Sequence, residues 1–179
     1  MDSTYLVEIR LSRTKWRIRQ ITQKIALNFG IADFLELHPH VTLLGPLTLN
    51  EGINSQEMLD AIGKVAARYE PVRFLIDGWE KRDGMHGSVI AFPVRASEPL
   101  RQITRDIAGV LSPLTTSQNT YDREPDQKWF HVTIANRMDS QQAASVFSQI
   151  TGSVQTPQDP AGAQQEKSGL LQRFLAGAR

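Results

Sequence analysis

Two four-residue segments of this chain pair a titratable ring with a hydroxyl: His40-Val41-Thr42-Leu43 and His131-Val132-Thr133-Ile134. Imidazole changes charge near neutrality, so one ring can be neutral while the other is protonated at the same pH. The neutral ring can take a proton from water, and the protonated ring can give one to a departing oxygen. A threonine hydroxyl beside each ring can donate to a non-bridging phosphate oxygen, where charge reorganises in the transition state. The four residues together suit in-line displacement at phosphorus without a metal. One His-x-Thr on an apolar strand is more often structural. Two of the four histidines in matched segments favour a functional pair.

Strand geometry must hold them. Residues i and i+2 of a strand share a face, so His40 with Thr42, and His131 with Thr133, project together. Val41, Leu43, Val132 and Ile134 then anchor the opposite faces in a core. Alternation and β-forming residues predict strands over Tyr5–Leu11, His40–Leu47, Val72–Trp79, Ser88–Val94 and Trp129–Asn136. Lys81-Arg82-Asp83-Gly84 carries hairpin turn chemistry between the third and fourth strands. Helices are predicted from Ser12 or Thr14 to Phe29, stopped by Gly30, and over Ser55–Tyr69. Two more run from Pro99 to Leu111 and from Ser140 to Ile150, the last capped by Asp139 or Ser140. Residues 112–128 read as a long polar loop of the kind that often serves function.

Composition sets the bounds. The chain has 179 residues, 40% hydrophobic and 22% charged, with a formal net charge of +1. That balance is ordinary for a globular protein and offers no field for gripping a long duplex. Cysteine is absent, which removes disulfides, thiolate zinc sites and a cysteine nucleophile. No carboxylate completes a three-ligand metal site with the histidines, so neither a metal nor another cofactor is expected. The first residues carry no signal-peptide pattern, and no apolar run is long enough to span a bilayer. The expectation is a cytoplasmic monomer without membrane contact.

A strand and a helix precede each motif, so the order suggests two related lobes in an α+β protein. The doubled His-hydrophobic-Thr-hydrophobic resembles the signature of the two-histidine phosphoesterases, which include 2′-5′ RNA ligase-like proteins and RNA 2′,3′-cyclic phosphodiesterases. The resemblance covers roughly residues 5–150, with Pro39 before the first motif and Gly45-Pro46 after it. It implies a bilobal, pseudo-symmetric α+β fold over residues 1–151, antiparallel sheets flanking a central cleft with helices outside. It implies hydrolysis of cyclic phosphodiesters at RNA or nucleotide ends, with His40 as proton donor and His131 as the base activating water. Thr42 and Thr133 would hold the phosphate. The same acid and base could instead run 2′-5′ RNA ligation, and a non-catalytic RNA- or nucleotide-binding module on this fold is a third reading.

The resemblance also exposes a departure. Family members usually add a strand pair after the second motif's helix, whereas residues 152–179 are Gln/Pro/Gly-rich and read as a disordered tail, with a helical turn at Leu170–Ala176. Several further residues have two readings. Tyr121, Arg123, Lys128 and Trp129 could supply rings and cations for an RNA end, or could simply belong to a loop with Trp129 packed inside. Phe34 could stack on a base, though core packing is favoured. His38, if extended, shares the face of His40 and could lie at the cleft rim, though a surface place is favoured. His86 reads as a surface histidine, and Arg10 and Arg137 end strands near the expected cleft, with a surface role favoured for each. Arg13, Lys15, Arg17, Arg19 and Lys24 crowd the first helix, as a solvated face or an RNA-steering one.

Overall fold

The computed structural model describes residues 3–12, 14–31, 38–84, 86–153 and 164–167. Two antiparallel sheets carry the two motifs. In the first, β1 (Thr4–Arg10) pairs with β2 (His40–Leu49), and the short β6 (Thr115–Ser117) covers the other edge of β2. In the second, β5 (Gly87–Arg95) is paired by β7 (His131–Met138) along one edge. Its other edge is shared by β4 (Glu80–Gly84) and β3 (Arg73–Ile76). The alternation expected of the motifs holds: Val41 and Val132 are 0% exposed, Leu43 and Ile134 1%.

The helices exchange between the sheets. Helix α1 (Lys15–Phe29) leaves the first sheet and packs against β7 of the second, burying Ile18, Thr22 and Ile25. Helix α3 (Glu98–Leu111) leaves the second sheet and packs against β2 of the first. Helix α2 (Ser55–Ala66) lies on α3, and α4 (Ser140–Ser153) on β5 and β4. The exchange presses the sheets together, so β2 and β7 approach each other without sharing a ladder. Side chains from both sheets and all four helices join one contiguous core. The bilobal α+β architecture is therefore the one expected.

Local chemistry explains most element ends. Gly30 stops α1 in the left-handed conformation at φ 70°, with its N–H donating to Ala26 O. Ser97 caps α3, and Asp139 Oδ1 accepts from Gln142 N at 2.7 Å at the start of α4. Asn54 and Glu57 form a reciprocal capping box on α2. Thr14 stands at the N-cap of α1 without a side-chain cap hydrogen bond.

Four expectations need correction. The predicted strand Val72–Trp79 stops at Ile76, and Gly78, at φ 73°, lets the chain bend before β4 begins at Glu80. Lys81–Gly84 are strand rather than turn; the reversal falls at Gly84 and Gly87, which pair with each other. Residues 112–128 are not one loop, since they hold β6 and a 3-10 turn at Thr120–Arg123. Within the stretch expected to be without strands, β8 (Gln164–Lys167) pairs antiparallel with β3 and covers its outer edge. The Arg123 side chain, Arg13, Phe34 and the helical turn at Leu170–Ala176 lie outside the described residues. Among those described, no helix is long and apolar enough to cross a membrane.

Candidate active site

Each motif histidine is tied down in the same way. His40 Nδ1 lies 2.7 Å from His38 O, and His131 Nδ1 lies 2.9 Å from Trp129 O, in both cases the carbonyl two residues upstream. A carbonyl only accepts, so Nδ1 carries the hydrogen in each ring and a neutral ring keeps its lone pair on Nε2. Neither Nε2 has a partner among the described residues, and the same holds for the half-buried hydroxyls of Thr42 and Thr133. The two imidazoles feel each other's charge across the junction of β2 and β7.

The surroundings break this symmetry. Cross-strand partners share a face, so what stands beside each motif is set by register. On β1, Arg10 faces His40 and Glu8 faces Thr42; on β5, Pro93 faces His131 and Ala91 faces Thr133. One histidine thus has an ion pair beside it where the other has two apolar residues. Glu8 Oε1 accepts from Arg10 Nε at 2.8 Å, and its Oε2 lies 3.7 Å from His40 Nδ1. A carboxylate there can pair with a protonated ring. His131 has no acid in that place. Burial holds its imidazole below the ordinary histidine pKa, against the raising effect of the Trp129 carbonyl, and the charges of His40, Arg82 and Lys128 lower it further.

The residues flanking His131 are engaged with one another. The Trp129 ring stacks on the His131 ring at 3.8 Å between centroids, 17° from parallel. Its Nε1 donates to Glu80 Oε2 at 2.8 Å, and the Arg82 guanidinium, itself donating to Glu80 Oε1, lies 4.1 Å from the indole centroid. Lys128 Nζ donates to Asp122 Oδ1 at 2.5 Å, with both side chains buried. Asp122 Oδ2 accepts from Ser117 Oγ at 2.6 Å and from Gly45 N at 2.7 Å. This one carboxylate therefore fastens the strand after the first motif to β6 and to the segment before the second. Gly45 is required at its end of that clasp, because its φ is 116° and a Cβ would sit 2.7 Å from Tyr5 O.

Of the residues expected at the site, His40, Thr42, His131 and Thr133 lie on facing strands with their functional groups unpartnered. Lys128 and Trp129 are committed to protein contacts, Lys128 to a buried ion pair and Trp129 to the ring of His131. Tyr121 stands 54% exposed on the 3-10 turn. His86 and Arg137 are exposed as expected. Arg10 is not a surface cation: its side chain is 17% exposed and belongs to the His40 ion pair. Glu8, Glu80 and Asp122 had no part in the sequence reading, and Arg82 entered it only as a turn residue. The Glu8-x-Arg10 and Glu80-x-Arg82 spacings mark charges sharing a strand face, but their place beside a histidine follows only from register.

No three His, Cys, Asp or Glu side chains converge among the described residues. The family model described as the 2′-5′ RNA ligase superfamily matches residues 11–173. No curated protein matches the chain. Two solved structures of Kluyveromyces marxianus Usb1 are similar at 15% identity, covering 83% of this chain and 81% of that one. One of them is with uridine monophosphate; its TM-score is 0.42, and that of the other is 0.43. Scores of that size carry no argument about the site. The match over residues 11–173 shows the family: the chain belongs to the 2′-5′ RNA ligase superfamily, the two-histidine phosphoesterases.

Proposed function

We propose that the protein hydrolyses 2′,3′-cyclic phosphodiesters at RNA or nucleotide ends, with His131 as general base and His40 as general acid. The observation that carries this is a pair of rings tied identically through Nδ1, of which one has a carboxylate beside it and the other burial and cations. His131, kept neutral by burial and nearby cations, takes a proton from water on Nε2 as the water oxygen bonds to phosphorus. The bond to one ribose oxygen breaks, and protonated His40, paired with Glu8, donates its Nε2 proton to that oxygen. Ring opening leaves a phosphomonoester and a free hydroxyl. Thr42 and Thr133 donate to the non-bridging oxygens, whose charge they stabilise best if already aimed. Each imidazole is worth roughly 10²–10⁴ in rate. The chain's own groups supply both proton transfers, so the proposed reaction needs no metal. Tyr121 offers an exposed ring for a base, whereas the Trp129 indole is occupied by His131 and Arg82.

The test is hydrolysis of a 2′,3′-cyclic nucleotide in EDTA, beside His40→Ala and His131→Ala. Chelator-resistant turnover that each substitution removes is the expected result. Turnover surviving in both variants overturns the roles given to the rings, and binding without turnover overturns the hydrolysis.

A further inference from the structure

Beyond its pairing with Glu8, His40 has charge nearby that the proposed reaction does not use. His38, whose carbonyl orients His40, accepts on Nδ1 from Arg19 Nη2 at 2.8 Å. A guanidinium only donates, so the hydrogen of a neutral His38 ring is on Nε2, where no partner exists among the described residues. Arg10, Arg19 and Lys15 all place positive charge on His38, and among the described residues the opposing charge is Glu8. Glu8 is already shared by Arg10 and His40. Among the described residues the cluster therefore has three cations against one carboxylate. Arg10 Nη2 and Arg19 Nε are also buried without a hydrogen-bond partner among the described residues. Orphaned buried donors are costly, and they usually signal a missing acceptor. Every unused polar group in the cluster is a donor.

We propose that Arg10, Arg19 and His38 form a second phosphate subsite beside His40, which takes the backbone phosphate preceding the cyclic end of a short RNA. Lys15, exposed at the start of α1, adds a screened attraction rather than a fixed contact. Of the cations that crowd the first helix, Lys15, Arg17 and Lys24 are exposed, and Arg19 turns to His38. A planar guanidinium suits a phosphate because it offers parallel donors. The subsite makes the preferred ligand one with two phosphates, the first at the histidines and the second here. This depends on the proposed hydrolysis only for what occupies the histidines.

Three substrates separate the possibilities: uridine 2′,3′-cyclic phosphate, the same compound with a 5′-phosphate, and a trinucleotide ending in a cyclic phosphate. The trinucleotide is expected to have the higher kcat/KM, and Arg19→Gln should reduce its advantage over the simple cyclic nucleotide about tenfold, mainly through KM. A fall confined to the 5′-phosphorylated compound replaces the RNA backbone by a nucleotide phosphate and overturns the RNA assignment. An unchanged ratio for both overturns the subsite. Binding of a 3′-phosphorylated trinucleotide, followed by fluorescence anisotropy over a range of salt, decides the matter independently of turnover. Arg19→Gln should flatten the slope of log K against log salt by about 0.7, the value for one single-strand phosphate contact. If no substrate turns over yet that slope falls, the hydrolysis fails and the subsite stands; an unchanged slope removes the subsite alone.

Discussion

Replacing Asp122 by Asn isolates the clasp between the two motif strands. The amide keeps the shape and can still accept from Gly45 N and Ser117 Oγ, but it removes the charge facing Lys128 Nζ at 2.5 Å. The Lys128 and Asp122 side chains are 7% and 4% exposed, so water cannot replace the lost partner. Breaking one side of a buried pair costs about 3–5 kcal/mol, against about 5–15 kcal/mol for the whole stability of an ordinary domain. For a chain of this size each kcal/mol lowers Tm by roughly 2–4 °C, so the loss should be roughly 6–20 °C. Urea unfolding should show the midpoint falling with an unchanged slope. Lys128→Met should cost less, because Asp122 keeps two donors, and Asp122→Asn combined with Lys128→Met should recover part of the single loss. A loss under about 1 kcal/mol in Asp122→Asn, or strict additivity in the double variant, refutes the clasp.

Three other outcomes follow from the site. Burial, with the charges of His40, Arg82 and Lys128, lowers the His131 pKa, so kcat/KM should stay high as pH falls through 6.5 and drop only below it. Arg82→Gln should move that limb upward, as a pH–rate profile would show; the same depressed pKa means that stability is full above the unfolded value and declines as pH falls beneath it. Glu8→Gln should lower kcat roughly tenfold, a part of the ~10²–10⁴ that a positioned acid contributes, with a smaller change in KM in steady-state kinetics. Gly45→Ala should destabilise by roughly 1–3 kcal/mol, from strain at positive φ and the contact with Tyr5 O, measurable as a lowered melting temperature.

The motifs and their elements were legible in the sequence because they rest on local rules. Alternation places Val41, Leu43, Val132 and Ile134 in the core and turns His40, Thr42, His131 and Thr133 to the opposite faces. Gly30 and Asp139 mark helix ends through backbone chemistry that needs no distant partner. The tail strand was not legible: Gln164–Lys167 has little β propensity, and it pairs because β3 leaves an edge open.

By itself, then, the sequence singled out the four residues of the proposed chemistry and required strands to present them, since a two-residue period is a property of the chain alone. Tertiary structure decided how the two near-identical motifs differ. Register set Glu8 and Arg10 beside one histidine and Ala91 and Pro93 beside the other, and folding engaged Lys128 in the buried pair with Asp122 and stacked Trp129 on His131. The physical reason is the short reach of these forces. A carboxylate or an ammonium directs an imidazole only from a few ångströms away, and residues far apart in the chain come that close only through strand pairing and packing.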